Sequence, residues 1–130
     1  DEAILLGLAK DSHAMALVPC CQAEVSRLLK FVPKSDKTLG TWQLWRHPLH
    51  SREFGSHATN VMRVLVLEAL GYKVTVTELT GWEHSMKNEL ILAEKVDYPN
   101  PAARGWLDAF LKEVPVEPML IRTLREQGRL

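Results

Sequence analysis

The apolar pattern of the chain changes from a helical to a strand period at a single glycine, and this change constrains the fold most. Between residues 51 and 70 apolar side chains recur about every 3.6 residues, which predicts a largely buried amphipathic helix. This apolar stripe consists of Ala58, Val61, Met62, Leu65, Val66 and Ala69. Gly71 follows as the expected C-terminal cap. Residues 72–79 then alternate between apolar and polar side chains, which predicts a strand.

A second constraint is a short apolar run at residues 13–18, which stops at Pro19. The brevity of the run and its polar flanks predict a buried strand. Proline ends it because proline has no N–H for a sheet ladder. Cys20, Cys21 and Gln22 therefore fall just past the carboxyl end of a strand. Ligands bind at this edge in open α/β sheets, so these three residues are candidates for a ligand site.

The remaining patterns complete an α/β fold. Residues 88–94 are predicted to form a further strand, close enough along the chain to pair with residues 72–79 as an antiparallel hairpin. Residues 42–50 are interpreted as irregular, with a short helical turn. In this order of elements, one edge of the strand at residues 13–18 has no visible partner.

Four further helices are predicted from apolar spacing, two near the start of the chain and two near its end. Their ranges are residues 1–9, 22–29, 102–112 and 119–127. In the third of them, Trp106, Leu107, Phe110 and Leu111 are expected to face inward.

Composition limits the classes of function. A chain of 130 residues suffices for one domain, and its apolar share of 46% suffices for a core. The 16 basic and 16 acidic residues give zero formal charge, so neither a general nucleic-acid footprint nor one for acidic membranes is visible. No apolar run approaches the length needed to cross a bilayer, so we expect no membrane partner.

The start of the chain and its cysteines suggest a context. Asp1 and Glu2 open the sequence without a basic region, so we expect no signal peptide. A helical pattern begins at once, which suggests a fragment of a longer parent protein. The two cysteines are adjacent, and neighbours rarely form a disulfide with each other. We therefore expect a reducing, cytoplasmic location.

Three segments together resemble one protein family. They are Pro19-Cys20-Cys21-Gln22, Leu67-Glu68-Ala69-Leu70-Gly71-Tyr72 and Glu83-His84-Ser85-Met86-Lys87-Asn88. Over residues 1–94 the chain looks like the C-terminal half of Rossmann-like S-adenosylmethionine-dependent methyltransferases. The group that it resembles most includes methyltransferase-like and RNA-methyltransferase-like proteins. The resemblance implies methyl transfer to a nucleophile, with RNA as one candidate acceptor.

The resemblance also implies a fold, because the family has a seven-stranded sheet whose last two strands form a hairpin with one antiparallel strand. Residues 13–18 would be the fifth strand, residues 72–79 and 88–94 the closing hairpin, and residues 1–10 the helix before strand five. The expected fold is thus α/β: a partial Rossmann-like methyltransferase sheet, made of strand five plus the C-terminal antiparallel hairpin, with flanking helices. Residues 1–95 would be the C-terminal half of the methyltransferase-like domain, and residues 96–130 a C-terminal helical extension.

The sequence departs from the family where the cofactor binds. The family holds S-adenosylmethionine with a glycine-rich turn, an acidic residue for the ribose and a motif after the fourth strand. No string like G-x-G-x-x-G occurs in this sequence. We therefore expect the cofactor to bind to the parent protein and this chain alone to be inactive. Its expected partner is a missing N-terminal half or a second copy of the chain.

Cys20, Cys21 and Gln22 allow more than one interpretation. Both cysteines precede a predicted helix, whose N-terminus favours a thiolate, yet free cysteines are among the most commonly buried residues. Packing, lining of the acceptor site and the nucleophile of a thiol enzyme therefore all stay open. Gln22 can both donate and accept, which suits a base edge or an amide, but it can equally face water at the start of a helix.

A zinc site is not expected, although enough nitrogen and sulfur ligands exist. Structural zinc needs four ligands at characteristic spacings. The candidates fit no such spacing; they are Cys20, Cys21, His47, His50, His57 and His84.

The segment between the predicted hairpin strands holds Glu83, His84, Lys87 and Asn88. Loops carry functional residues more often than strands do, and histidine can act as a base near neutral pH. A solvated turn is the alternative interpretation. The Glu-His-x-x-Lys-Asn stretch recurs in the family that the chain resembles, so the resemblance assigns His84, Lys87 and Asn88 to substrate binding.

Basic and aromatic residues also come together along the chain. Trp42 and Trp45 lie beside a local group of basic residues, which are Arg46, His47, His50, Arg52 and Arg63. Phosphate contacts combined with base stacking are what single-stranded RNA requires. The alternative is that both tryptophans pack in the core while the charges are solvated.

The sequence pattern also fits a function that involves no catalysis. An unpaired strand edge is a template for association. The chain would then be a binding or assembly module that pairs through its exposed sheet edge.

Overall fold

A computed structural model describes residues 1–20, 22–32, 40–80 and 88–130 of the chain. Within these residues the fold is mixed α/β, with five helices and a three-stranded sheet. Two short 3-10 helices, Leu29–Phe31 and Gly40–Leu44, lie between the second and third helices. The main elements are α1 Glu2–Ala9, β1 Ala14–Leu17, α2 Glu24–Leu28, α3 Pro48–Ala69, β2 Tyr72–Glu78, β3 Glu89–Lys95, α4 Ala103–Glu113 and α5 Met119–Glu126.

The sheet has the strand order β1-β3-β2, with β3 antiparallel to both neighbours. Strands β1 and β2 therefore run in the same direction, and the last strand lies between them with the opposite direction. Leu17 pairs with Ile91 on one side of β3, and Val76 pairs with the same residue on the other side. The predicted antiparallel hairpin of β2 and β3 is confirmed.

The prediction that the first strand is buried is wrong. Ala14 and Ala16 are exposed, whereas Met15 and Leu17 are only partly buried. The strand lies at an edge of the sheet, and its apolar run contacts the core on one face only. An apolar run shows that a strand tolerates burial, but distant elements decide how many of its faces are covered.

The long helix begins earlier than predicted and ends close to the expected position. Pro48 occupies the first turn of α3, where its fixed φ suits a helix and its missing N–H is not needed. Residues 48–50, predicted to be irregular, are therefore helical, and the predicted short turn corresponds to the 3-10 helix. Gly71 has a φ of 91°, a left-handed conformation that glycine adopts easily, and it links α3 to β2 as a C-terminal cap.

One core cluster joins all the elements. Side chains of α4, α5 and their connection pack in the same cluster as those of α1, α3 and the sheet; they include Leu107, Val114, Leu120, Ile121 and Leu124. Residues 96–130 thus complete the core formed by residues 1–95. Within α4 the prediction for Leu107 is correct, but Trp106 is 51% exposed and does not face inward.

Two contacts fix the short helix α2. A Cβ atom built on Gly55 of α3 would lie 2.6 Å from the backbone N and the Cβ of Ser26, so glycine allows this close approach. On its other side, the Glu24 Oε1 atom accepts a hydrogen bond of 2.9 Å from the backbone N–H of Met119, the first residue of α5. The carboxylate of Glu24 therefore satisfies one of the open donors at the start of that helix.

None of the helices described here is long and apolar enough to span a membrane.

Candidate functional site

An open cleft of about 1120 Å³ lies beside the carboxyl end of β1. The start of α1 forms one wall, the residues that follow β1 together with α2 form another, and the first half of α3 forms the floor. Met119 at the start of α5 also contributes. The cleft thus lies at the edge of the sheet where ligands bind in open α/β folds.

The structure places two of the three predicted residues after β1 in the cleft. Cys20 is exposed and lines it, and Gln22 is partly buried in its wall. Cys21 lies outside the described residues. No histidine lies among the described residues that line the cleft, so this wall offers no imidazole to activate the thiol of Cys20.

The side chain of Gln22 has a defined orientation. Its Oε1 atom accepts a short hydrogen bond from the Ser56 hydroxyl of α3. Its Nε2 atom donates to the backbone carbonyl of Pro19 at 3.4 Å. The Pro19 oxygen can only accept, so the nitrogen of the amide has to face it. The carboxamide therefore bridges the end of β1 and the floor of the cleft.

A buried polar network lies beneath the cleft. The Arg63 Nε atom contacts Asp1 Oδ1 at 2.8 Å, and its Nη1 atom donates to Asn60 Oδ1 at 2.9 Å. The Asn60 Nδ2 atom donates in turn to Glu89 Oε2 at 2.7 Å. Asn60 is 1% exposed and Arg63 is 7% exposed. The network joins α1, α3 and the first residue of β3, so it fixes the cleft wall relative to the sheet.

Positive and negative charges are nearly balanced in the cleft. Its described lining holds four carboxylates, from Asp1, Glu2, Glu24 and Glu53, and three guanidinium groups, from Arg27, Arg52 and Arg63. Two arginines face carboxylates directly, because Arg52 contacts Glu53 at 3.2 Å just as Arg63 contacts Asp1. The described part of the lining therefore carries no excess of positive charge.

Sequence reasoning assigned Arg52 and Arg63 to a basic cluster and missed Ser56 and Thr59, although the sequence carries a signal for a polar side of α3. Arg52, Ser56, Thr59 and Arg63 recur at helical spacing within an otherwise apolar helix, and all four line the cleft. A polar stripe on a mostly buried helix indicates that the helix borders a wet cavity or an interface. The apolar stripe of the same helix was the stronger pattern and described only its core face.

The hairpin candidates lie outside this cleft or outside the described residues. Glu83, His84 and Lys87 belong to the segment 81–87, which the structure does not describe. Asn88 is buried, and its Oδ1 atom accepts hydrogen bonds from the backbone N–H and the hydroxyl of Thr80, at 2.7 and 3.0 Å. Its Nδ2 atom donates to the carbonyl of Thr80. The amide of Asn88 therefore closes the base of the hairpin and does not line the cleft.

The predicted basic and aromatic cluster is divided between different places. Trp45 is 4% exposed and stacks on Phe54 in the core, with ring centroids 5.1 Å apart. Trp42 is partly buried, and the guanidinium of Arg46 lies 5.8 Å from its ring centroid. Arg63 is buried in the polar network, so the expectation that it joins an exposed basic cluster is wrong.

The imidazoles of His47 and His50 remain at the surface, with ring centroids 5.5 Å apart. Within the part of the chain that the structure describes, no group of three or more His, Cys, Asp or Glu side chains is arranged to hold a metal ion.

The described residues do not fit S-adenosylmethionine by themselves. Strand β1 is followed by Pro19 and Cys20, and β2 leads directly into the hairpin with β3. The described part of the chain therefore contains no glycine-rich turn between a strand and a helix, where backbone N–H groups would cradle such a ligand.

Comparison of the chain with protein-family models, with curated proteins and with solved structures found no match.

Proposed function

We propose that the chain is the C-terminal part of a Rossmann-like S-adenosylmethionine-dependent methyltransferase domain, and that the cleft lies on the acceptor side of its active site. The arrangement of the strands carries this proposal. Two strands of the same direction, β1 and β2, are connected through α3, and the last strand lies reversed between them. This arrangement suits the end of a sheet whose other strands run parallel to β1 and whose closing hairpin has one reversed strand.

The open edge of β1 supports the presence of a further strand in the parent protein. The carbonyl of His13 accepts a hydrogen bond of 2.8 Å from the N–H of Lys95, so this pair is a hydrogen-bonded pair of the ladder. Hydrogen-bonded and open pairs alternate along antiparallel strands, so the N–H and C=O groups of Ala14 and Ala16 point away from β3. The edge carries neither charge nor proline to discourage pairing.

The outer face of the sheet supports the same proposal. Ala16, Leu92 and Thr75 lie side by side on this face, and all three are exposed. Sheets with parallel strands are normally covered on both faces. An N-terminal half that pairs with β1 would also bring elements to cover this face.

The proposed chemistry assigns a limited role to the described residues. S-adenosylmethionine, if bound by the parent protein, would supply the methyl group. Methyl transfer depends mainly on the alignment of donor and acceptor. Gln22 and Cys20 border the cleft where the acceptor would lie, and the Asp1–Arg63 pair holds its wall. By resemblance RNA is a candidate acceptor, and the adjacent cysteines favour a parent protein in the reducing cytoplasm.

The test compares this chain with its source protein. The intact mass of the source protein in the expressing cell is measured first, followed by calorimetric titration of both proteins with S-adenosylmethionine. We expect a larger parent with a glycine-rich strand upstream, which binds the cofactor while the 130-residue chain does not. A source protein no larger than this chain, or a larger one that binds no cofactor, contradicts the proposal.

The open edge of β1 also favours a second candidate function, that of an assembly module with no catalytic activity. In that case the edges of two copies, or the edge and a different subunit, would pair directly. Size-exclusion chromatography with light scattering distinguishes the candidates. A stable dimer of this chain supports the assembly module, whereas a monomer counts against pairing between copies.

A further inference from the structure

The guanidinium of Arg46 is held in place from two sides. Its Cζ atom lies 5.8 Å from the ring centroid of Trp42, and its Nε atom donates to the Nε2 atom of His47 at 2.9 Å. The backbone supports this arrangement, since the N–H of Arg46 donates to the carbonyl of Trp42 at 3.0 Å. A guanidinium that already has a defined orientation loses less side-chain freedom when it binds a ligand.

The Nη groups of Arg46 are the donors that remain for a ligand. They belong to an exposed side chain, and no hydrogen bond or ion pair between described residues uses them. The first turn of α3, which begins two residues later, contains no acidic residue. Other arginines of the described chain face a carboxylate; they are Arg52, Arg63, Arg104, Arg122 and Arg125. Arg46 instead presents a forked donor and a positive charge, which suit a phosphate group.

Two imidazole rings continue this surface. The ring centroids of His47 and His50 lie 5.5 Å apart in an edge-to-face arrangement, and both side chains are exposed. Contacts thus run from Trp42 through Arg46 and His47 to His50, and we call these four residues the arginine–imidazole patch. Unpaired bases stack on the flat faces of aromatic side chains, including histidine. The patch therefore combines a donor for phosphate with rings for a neighbouring base.

The arginine–imidazole patch adjoins the helix that forms the floor of the cleft. His50 belongs to the first turn of α3, and Ser56 of the same helix lines the cleft. The six positions between them in sequence correspond to about 9 Å along the helix axis. A strand held at the patch would therefore pass close to the cleft.

We infer that the arginine–imidazole patch binds a single-stranded nucleic acid. The Nη groups of Arg46 donate to one phosphate, and the imidazole of His50 stacks on an adjacent base. An acidic peptide would use the guanidinium but not the rings, so the observations favour a nucleic acid. That the strand is RNA and carries the methyl acceptor rests on the proposed function, whereas the binding itself does not.

The test measures the binding of a labelled oligouridine to the whole chain by fluorescence anisotropy. The RNA has about ten nucleotides, a length typical of single-strand binding sites. We expect saturable binding that weakens as the salt concentration rises, because a phosphate contact releases counterions. Unlabelled oligouridine should displace the probe, whereas inorganic phosphate and an oligoglutamate peptide should displace it only weakly. An oligothymidine of the same length compares DNA with RNA.

Four variants assign the binding to the patch. Arg46→Ala should lower the affinity about tenfold, and it should reduce the slope of the salt dependence by about one. Arg46→Lys keeps the charge without the fork, so the affinity should fall by a smaller factor. His50→Ala should lower the affinity about fivefold through the loss of stacking. Arg104→Ala is the matched control, because it removes the same charge from another exposed position and should leave the affinity unchanged.

Several outcomes overturn the inference. They are the absence of saturable RNA binding at low salt, unchanged affinity in Arg46→Ala, and equal losses in Arg46→Ala and Arg104→Ala. Displacement by oligoglutamate or inorganic phosphate as strong as that by oligouridine would also overturn it, since the surface would then recognise negative charge alone. Tighter binding of oligothymidine would overturn the assignment to RNA. Failure of the parent to bind S-adenosylmethionine would refute the methyltransferase proposal alone, because the RNA titration uses this chain and no cofactor.

Discussion

The Arg63 guanidinium lies 2.8 Å from the Asp1 carboxylate, and the two side chains are only 8% and 11% exposed. The two residues lie almost half the chain apart in sequence, yet both line the cleft. A buried charge needs a partner and hydrogen bonds, and Asn60 accepts one of these hydrogen bonds from Arg63. The pair therefore couples the folding of α1 to the position of the cleft floor.

Replacement of Arg63 tests this coupling. Arg63→Ala removes the buried guanidinium that contacts the Asp1 carboxylate and the Asn60 carbonyl, so we expect a loss of about 3 kcal/mol in the free energy of unfolding. Urea titration of the chain measures this change. Arg104→Ala is the control, because Arg104 forms a half-exposed pair with Asp108 at 3.8 Å on α4. The control should lose less than about 1 kcal/mol. Similar losses in both variants would show that the buried pair contributes no more to the free energy of unfolding than the half-exposed pair does.

Two glycines within helices should respond to alanine with opposite signs. A Cβ on Gly55 would lie 2.6 Å from Ser26 backbone atoms, so Gly55→Ala should push α2 away from α3 and cost about 1–3 kcal/mol. A Cβ on Gly105 would meet nothing within 4 Å, so Gly105→Ala should stabilise α4 by about 0.5–1 kcal/mol. Thermal unfolding of both variants measures the signs. A stabilised Gly55→Ala protein is incompatible with the close approach of the two helices.

Much of this fold follows from local sequence patterns. The remaining parts depend on contacts between residues that are distant in the sequence. The stripe of α3 and the cap at Gly71 were predictable, because a helical period and a left-handed turn are properties of neighbouring residues. The exposure of one face of β1 was not, because it depends on distant elements such as its partner β3, which follows it by more than seventy residues. The burial of Arg63 depends likewise on Asp1, and no local pattern indicates that pairing.

The cleft likewise combines features that local sequence predicts with features that depend on distant contacts. The placement of Cys20 and Gln22 beside it follows from the strand ending before Pro19, which is a local feature. The contribution of Ser56 depends on the packing of α2 against α3 at Gly55. The spacing of polar residues along α3 is the one sequence feature that indicates this contribution of Ser56.

Glu24 should control the docking of the last helix. Its carboxylate accepts from the Met119 N–H at 2.9 Å, so Glu24→Ala leaves a donor at the start of α5 unsatisfied and should cost about 1 kcal/mol. Amide hydrogen exchange should increase in α5 more than in α3. Glu117→Ala is the control, because Glu117 forms an exposed pair with Arg125 close to the same helix. Equal exchange in both variants would remove the capping role of Glu24.

The carboxyl group of Glu68 gives a prediction for pH dependence. Burial raises the pKa of Glu68 above its ordinary value of 4.5. The folded protein therefore binds this proton more tightly than the unfolded chain does. It follows that the contribution of Glu68 to stability decreases as the pH rises from below 4.5 through the folded pKa. The Glu68→Gln substitution removes the cost of burying this charge. The free energy of unfolding of the variant, relative to that of the unsubstituted chain, should therefore be higher at about pH 7 than at about pH 3. A difference that is constant between the two pH values would contradict the assigned cause.

Proline scanning of β1 tests which of its backbone groups are open. The alternation of the ladder directs the N–H of Met15 toward β3 and that of Ala16 toward the free edge. Met15→Pro should therefore break the sheet and cost about 3 kcal/mol or more, whereas Ala16→Pro should be tolerated at about 1 kcal/mol. The comparison is informative for function as well. Ala16→Pro removes a donor that a neighbouring strand requires, so it should reduce cofactor binding in a larger parent, or dimerisation if the chain is an assembly module. If Ala16→Pro destabilises the isolated chain as much as Met15→Pro does, the edge is not open, and both proposals lose their main support.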